Sequence, residues 1–321
     1  MSRNTKISIL CPTAPMLPVK IGDYAGYEKE MMKILKSNID NVLPDNPDLI
    51  ILPECCNRFN KKSYPSSIAY RSDVKEYYKY LEDRMVSYMG EIAKNNNTNI
   101  AYSAVRYVPE DEKYHYRNST VYIGRDGSVK GIYDKNHLVV EENSMGNVGY
   151  GTKSDLIELD FGKVASAICF DLNFDMLLDK YKVQDPDLIV FCSAYHGGLR
   201  QEQWAYECRS YFAGAIGEAP GRILNPYGQI VAQTTNYTNF VTATVNLDYE
   251  LCHIDYNMEK INAAKRKYKD ALTVYDPGFV GSVMLSCEIP SMNVQDIIDE
   301  FEIERLNDYI KRALKHREEN L

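Results

Sequence analysis

The chain has 321 residues, a length compatible with one large α/β domain. Hydrophobic residues make up 45% of it, so we expect a substantial core rather than disorder. The formal net charge is −8, which argues against nucleic acid or an anionic membrane as the main partner, because both attract basic surfaces.

The cysteines and the hydropathy pattern predict a cytoplasmic location. The eight cysteines are scattered and form no CxxC pair, at positions 11, 55, 56, 169, 192, 208, 252 and 287. Free thiols of this kind are typical of a reducing cytoplasm. No run reaches the roughly 18 apolar residues of a membrane span, and the first apolar run is too short for a signal sequence. No His, Cys or Asp cluster has zinc spacing, so no metal is expected.

Apolar runs and turn signals predict alternating strands and helices in the first half of the chain. In order, these are a strand over 6–11, a helix over 24–42, a strand over 48–53, a helical region over 65–95, and strands over 99–108, 119–123 and 129–133. The dipeptide Asp126-Gly127 predicts a hairpin between the last two strands. Continuous apolar runs over 164–170 and 188–192 are typical of central strands covered on both faces, with a helix over 174–181 between them.

The second half repeats this alternation before the pattern changes. The predicted elements are a helix over 201–210 and strands over 211–216, 222–225, 229–233 and 240–247. After Asp248 the pattern predicts a charged helix over 258–270, a short strand within 274–286, and a long amphipathic helix over 294–317. Periodicity alone therefore indicates the α/β class.

Three strand ends carry chemically active side chains. Glu54 ends the apolar run of residues 49–54, Lys135 follows the strand over 129–133, and Cys169 ends the strand over 164–170. Each residue alone is more often structural than catalytic. Together, a thiol, a carboxylate and an amine can form a nucleophile, a proton shuttle and an oxyanion stabiliser.

The segments around these residues resemble a known family. LIILPE around Glu54, YDKNHL around Lys135 and ICFDLNF around Cys169 resemble, in this order, the signatures of the nitrilase superfamily of carbon–nitrogen hydrolases. The resemblance implies a four-layer α-β-β-α sandwich of two mixed sheets with a C-terminal helical extension. It further implies a hydrolase domain over 1–250, an extension over 251–321 that packs on the domain or on a partner subunit, no cofactor, and a homodimer or higher homo-oligomer.

The resemblance also implies roles for the site residues. Cys169 is the expected nucleophile, Lys135 the oxyanion stabiliser, and Glu54 the general base, whose pKa we expect burial to raise toward neutrality. A second glutamate is expected after the lysine. Glu142 lies at the nitrilase-like offset, with Glu141 as the alternative.

Other residues near the nucleophile are predicted to contact the substrate. The backbone N–H of Phe170 is a candidate second oxyanion donor, and Asn173, Tyr195 and His196 are candidate substrate contacts. We expect His137 to support its loop. Asn173 stands where the family often has arginine, and Phe170 where many nitrilases have tryptophan, so an amidase or carbamoylase is favoured over a nitrilase.

The leading hypothesis is therefore a cofactor-free thiol hydrolase that cleaves a small linear amide or N-carbamoyl compound and releases ammonia. Its partner is a small-molecule amide, carbamoyl or nitrile substrate. Two alternatives use the same three residues, a nitrilase and an acyl or amide transferase. A third is an inactive oligomeric scaffold, which the presence of Glu54, Lys135 and Cys169 disfavours.

Overall fold

The structure is a computed structural model that describes residues 3–218 and 220–321. Its contacts divide the chain into two compact units. The larger unit is Lys6–Ala243, and the C-terminal unit comprises Thr244–Leu321 together with residues 3–5.

The larger unit is built on two six-stranded sheets, and the first of them, sheet A, contains the N-terminal strands. Its members are β1 (Asn4–Leu10), β2 (Leu49–Ile51), β3 (Asn99–Tyr107), β4 (Tyr116–Ile123), β5 (Val129–Asp134) and β12 (Phe240–Asn246). The strand order is β12-β1-β2-β3-β4-β5. Strands β1, β2 and β3 pair in parallel, whereas β4 and β5 add antiparallel strands, so the sheet is mixed.

Sheet B is also a mixed sheet of six strands. Its strands are β6 (Ile157–Leu159), β7 (Gly162–Ile168), β8 (Leu188–Ser193), β9 (Tyr211–Ile216), β10 (Arg222–Leu224) and β11 (Ile230–Gln233). They lie in the order β11-β10-β9-β8-β7-β6, with β7, β8 and β9 parallel. The central strand β8 is buried along its whole length, as its continuous apolar sequence predicts.

Helices cover the sheets. They are α1 (Tyr24–Asp40), α2 (Ser67–Leu81), α3 (Arg84–Asn95), α4 (Val140–Ser144), α5 (Asp175–Gln184) and α6 (Leu199–Cys208). Helix α1 buries Tyr27, Met31, Leu35 and Ile39, which recur every four residues and form one apolar face. The Asp23 side chain caps this helix by accepting the Gly26 N–H at 3.0 Å.

The helical region predicted over 65–95 is two helices rather than one. Glu82, between α2 and α3, has φ +44°, a backbone conformation that an α-helix does not contain. The inner faces of the sheets meet through mainly apolar side chains and through a hydrogen bond of 2.9 Å between the Tyr122 and Ser166 hydroxyls. The arrangement is the predicted α-β-β-α sandwich of two mixed sheets.

The C-terminal unit contains a sheet as well as helices. Strands β13 (Tyr249–His253), β14 (Leu272–Tyr275) and β15 (Ser282–Cys287) form an antiparallel sheet in the order β13-β15-β14. The helices are α7 (Met258–Tyr268), α8 (Val294–Glu300) and α9 (Leu306–Glu319). The prediction of one long helix over 294–317 was wrong, because the chain leaves the helix after Glu300 and Glu302 adopts φ +50°.

Candidate active site

The three predicted residues follow strands of the larger unit. Glu54 comes three residues after β2, Lys135 directly after β5, and Cys169 directly after β7. Strands β2 and β7 are central parallel strands of their sheets, and ligands of open α/β sheets bind at the carboxyl ends of such strands. The fold thus places Cys169, which follows a strand of sheet B, near Glu54 and Lys135, which follow strands of sheet A.

Lys135 is the centre of a buried charge cluster. Its side chain is 1% exposed, and its Nζ donates hydrogen bonds of 2.8 Å to Glu54 Oε1 and 2.8 Å to Glu142 Oε2. Glu142 occupies the first turn of α4 and also accepts the Val139 N–H at 2.9 Å. Glu141 is exposed to solvent, so the structure places Glu142 rather than its neighbour against the lysine.

Asn118 joins the two glutamates, although no sequence motif pointed to it. Its Nδ2 donates to Glu54 Oε1 at 2.8 Å and to Glu142 Oε1 at 2.9 Å. The Ala194 N–H donates to the other oxygen of Glu54, Oε2, at 3.1 Å. Glu54 therefore has both carboxylate oxygens fixed. The run of polar residues over 117–120 inside strand β4 was the signal available in the sequence.

Cys169 begins a 3₁₀ helix, Cys169–Asn173, at the end of β7. Its φ is +48°, so the chain turns sharply at the nucleophile candidate. The buried carboxylate of Asp171 stabilises this turn by accepting the Ile168 N–H at 3.1 Å. The same carboxylate accepts the Tyr133 hydroxyl at 2.8 Å and the His137 N–H at 2.7 Å. Asp171 and His137 thereby connect the cysteine turn to the loop after Lys135.

The thiol of Cys169 is protonated in the resting site. Burial raises the pKa of Cys169, and the negative charge of Glu54 raises it further, to about 11. The nearby Lys135 and a hydrogen bond with Ser193 act in the opposite direction but do not outweigh these effects. The Glu54 carboxylate acts on the thiol both through its charge and as a hydrogen-bond acceptor for it, so a proton acceptor lies next to the sulfur.

The expected rise in the pKa of Glu54 was wrong. Burial does raise it, but the positive charge and hydrogen bond of Lys135, followed by the charge of Arg58, lower it by more. The pKa of Glu54 therefore lies below its ordinary value, and the resting site holds a carboxylate beside an ammonium. Burial alone was the basis of the expectation, which omitted the lysine that the fold places at 2.8 Å.

Three of the four residues predicted to contact the substrate lie together near Cys169. Phe170 and Tyr195 are partly exposed, and Asn173 forms hydrogen bonds with the Phe170 carbonyl and with the Tyr195 side chain. The described hydrogen bonds of His196 are instead with its own loop and with helix α6, where Nδ1 accepts the Gly198 N–H at 3.1 Å and the carbonyl accepts from the Gln201 side chain. His137 stacks on Phe174 at 3.9 Å, in agreement with a role in supporting its loop.

Within 3–218 and 220–321, no group of three or more His, Cys, Asp or Glu side chains is arranged to hold a metal ion. Over the same ranges, every helix is too short or too polar to cross a membrane.

Comparison with known proteins identifies the family. The model of the carbon–nitrogen hydrolase family matches residues 16–216, which is more than half of the chain and includes Glu54, Lys135 and Cys169. The chain belongs to the carbon–nitrogen hydrolase family. The family match supports hydrolysis of an amide carbon–nitrogen bond as its general activity.

Curated relatives of this carbon–nitrogen hydrolase include amidases. The omega-amidase NIT2 of Xenopus tropicalis is 21% identical over 226 residues, which cover 63% of this chain and 77% of that protein. A beta-ureidopropionase of Arabidopsis thaliana is 26% identical over 171 residues, which cover 50% of this chain and 40% of that protein.

Solved structures share the fold. Nit3 of Saccharomyces cerevisiae, a member of branch 10 of the nitrilase superfamily, matches with a TM-score of 0.61 at 16% identity, over 83% of this chain and 95% of that one. An amidase from Nesterenkonia sp. matches with a TM-score of 0.62 at 16% identity, over 82% of this chain and 96% of that one.

Proposed function

We propose that this carbon–nitrogen hydrolase cleaves a small linear amide or N-carbamoyl compound through a thioester at Cys169 and releases ammonia. The observation that carries the proposal is the position of Glu54, which lies 2.8 Å from Lys135 and close enough to the Cys169 thiol to raise its pKa. One carboxylate thus contacts both the nucleophile and the cation. Amidases and a beta-ureidopropionase among the relatives support this substrate class.

In the first step, the Cys169 sulfur attacks the carbonyl carbon while its proton passes to Glu54. Since the pKa of the thiol is about 11 and that of Glu54 lies below its ordinary value, a free thiolate is strongly disfavoured at rest. The proton therefore leaves sulfur as the carbon–sulfur bond forms. This coupling requires the carboxylate to be in place beforehand, which its two fixed oxygens achieve.

Lys135 would stabilise the oxyanion that this attack generates. An ammonium has three N–H donors, and Glu54 and Glu142 occupy two of them, so one remains for the substrate oxygen. The Phe170 N–H is a second donor, because N–H groups in the first turn of a helix lack partners within the helix. A single donor of this kind typically contributes about 3–4 kcal/mol.

The remaining steps return the site to its starting state. The carbon–nitrogen bond breaks, the leaving nitrogen takes the proton from Glu54, and ammonia departs from the thioester. A water molecule then transfers a proton to Glu54 and attacks the thioester carbon. The carbon–sulfur bond breaks, the sulfur recovers its proton from Glu54, and the carboxylic acid is released.

Ammonia release from a panel of amides, N-carbamoyl compounds and nitriles tests the proposal. Wild-type protein should release ammonia, and Cys169→Ala should reduce the rate on the order of 10⁴-fold or more, since it removes the nucleophile. Cys208→Ala, a buried thiol on α6 outside the site, is the matched control and should keep most of the activity. The acyl-enzyme should add the substrate's acyl mass to wild-type protein only.

Three outcomes contradict the proposal. Equal ammonia release from wild type and Cys169→Ala would exclude the thioester. Disappearance of the amide with transfer of its acyl group to an added amine, and no acid product, would favour the transferase. A nitrile hydrolysed faster than its amide would assign the chain to the nitrilases.

A further inference from the structure

A cavity of about 270 Å³ opens beside the candidate active site. The segments that follow β1, β2, β8 and β9 line it, together with one face of helix α1. Glu54 belongs to both the cavity lining and the charge cluster, whereas Cys169 is not among the described lining residues. A ligand in this cavity therefore lies next to the reacting groups without occupying the position of the scissile bond. The volume suits a small molecule, just below the range of about 300–1,000 Å³ that drug-sized ligands occupy.

Arg58 lines this cavity and is the only cation among its described lining residues. The Arg58 side chain forms a hydrogen bond with Tyr70 and lies near Cys55, Tyr78 and Glu54. Within the described residues, it forms no ion pair with a carboxylate at 4.0 Å or less. A partly buried guanidinium that has lost part of its hydration and has no carboxylate partner retains N–H donors for a charged ligand.

The acidic residues of the lining do not supply that partner. Both oxygens of Glu54 are already occupied, Oε1 by Lys135 and Asn118 and Oε2 by the Ala194 N–H. Glu218 is exposed to solvent, where water screens its charge. The polar side chains of Thr13 and Asn38 also line the cavity and offer neutral hydrogen-bond donors. The interior of the cavity thus combines one cation without a carboxylate partner among the described residues, one carboxylate already paired with Lys135, and the neutral amide of Asn38, an arrangement that favours an anionic ligand.

We propose that Arg58 binds a carboxylate at the end of the substrate remote from the scissile amide. This inference rests on the proposed function and narrows the substrate class to monoamides or N-carbamoyl derivatives of small organic acids. The planar guanidinium can pair with both oxygens of a carboxylate, which fixes orientation as well as charge. The carboxylate occupies the cavity while the amide carbon extends past Glu54 to Cys169.

Steady-state kinetics with a charged and a neutral substrate test the role of Arg58. The pair is glutaramate, the monoamide of glutarate, and pentanamide, a neutral amide of the same chain length. Arg58→Met should lower kcat/KM for glutaramate about 10- to 100-fold more than for pentanamide, mainly through KM, since only glutaramate loses a charged hydrogen bond. Arg71→Met, on helix α2 outside the cavity, is the matched control for general loss of positive charge and should not change this ratio.

A purely structural role for Arg58 gives a different result. If the arginine only supports Tyr70 or keeps Glu54 ionised, Arg58→Met will reduce kcat for both amides by the same factor. An equal loss for the two substrates, or a loss confined to kcat, overturns the proposed subsite.

Calorimetric titration with glutarate measures the subsite without turnover. Wild-type protein should bind glutarate, and Arg58→Met should weaken that binding at least tenfold, whereas Arg71→Met should not. If glutarate binds through Arg58 but neither amide is hydrolysed, the proposed function fails and the subsite stands. If the amides are hydrolysed but glutarate binds wild type and Arg58→Met equally, or binds neither, the subsite fails alone.

Discussion

The two large sheets contribute different chemistry to the site. The charged residues come from sheet A and the segments after its strands, as Glu54, Lys135 and Glu142. The residues of sheet B that lie beside Glu54 are neutral at rest, namely Cys169 after β7, Ser193 at the end of β8 and the Ala194 N–H, while the carboxylate of Asp171 holds the cysteine turn. Sheet A therefore assembles the acid–base groups through its own hydrogen bonds, and sheet B adds the nucleophile.

This difference shows why a charged site can be stable before substrate binds. The ammonium of Lys135 is shared between two carboxylates, and the Asn118 amide donates to both of them, so each buried charge has a partner. The thiol from sheet B adds no charge at rest. Substitutions of the sheet A residues should therefore change both the pKa values in the site and the stability of the fold. Substitutions of the sheet B residues should mainly change the rate of the chemical step.

Glu54→Gln should have the largest effect of the sheet A variants. It removes the proton acceptor of both half-reactions, so we expect kcat to fall about 10²–10⁴-fold. It also removes a negative charge that raises the pKa of Cys169, so that pKa should fall from about 11. A titration of the thiolate by ultraviolet absorbance, with Cys169→Ala subtracted, measures this shift.

The control for this variant is Glu141→Gln, which removes a negative charge from the exposed neighbour of Glu142. It should leave both kcat and the thiol pKa close to wild type. A Glu54→Gln protein with near-normal kcat would remove Glu54 from the mechanism.

Lys135→Met should affect both activity and stability. Loss of the oxyanion donor should lower kcat about 10²–10³-fold. Removal of the cation also leaves Glu54 and Glu142 facing each other in a buried site, which should destabilise the fold by about 3–5 kcal/mol. Denaturant unfolding measures this loss, with Lys130→Met on the same strand β5 as the exposed control. An unchanged free energy of unfolding would contradict the claim that the Lys135 ammonium stabilises both Glu54 and Glu142.

Asn118→Ala should have a smaller effect. The two glutamates lose the amide that joins them, but Lys135 still binds both, so we expect kcat to fall roughly tenfold, equivalent to about 1.4 kcal/mol. Because Asn118 also lowers the pKa of Glu54, that pKa should rise in the variant. Ser119→Ala, one residue along β4, contacts Asp134 instead and serves as the control. An effect on KM alone would contradict a positioning role.

The pH profile of wild type should change little over the neutral range. Activity requires an ionised Glu54 and a Cys169 that starts as a thiol. Since the pKa of Glu54 lies below 4.5, the acid limb of kcat/KM should fall below that value, and since the pKa of Cys169 is about 11, the basic limb should lie near 11. An acid limb near pH 7 would show that burial raises the pKa of Glu54 by more than Lys135 lowers it.

The sequence predicted most of the larger unit because its strands are continuous apolar runs and its helices have regular spacing. It did not predict the break between α2 and α3, since neither glycine nor proline marks Glu82. The sheet of the C-terminal unit was also largely missed. Strand β14 has four residues and β13 has five, too few for a clear alternating pattern.

The positions of Glu54, Lys135 and Cys169 were predictable because each follows a recognisable strand. Asn118 was not, since its partners lie 64 and 24 residues away in the chain and only the pairing of β3, β4 and β5 brings them together. The direction of the Glu54 pKa shift was unpredictable for the same reason. It depends on the distance to Lys135, which sequence patterns do not supply.

The backbone conformation of Cys169 restricts which nucleophiles this position accepts. At φ +48°, a side chain branched at Cβ clashes with the adjacent backbone, whereas an unbranched one is tolerated. Serine could therefore take the place of cysteine without disturbing the turn, but threonine could not. The turn at the end of β7 thus excludes a threonine nucleophile on steric grounds, independently of the reactivity of its hydroxyl group.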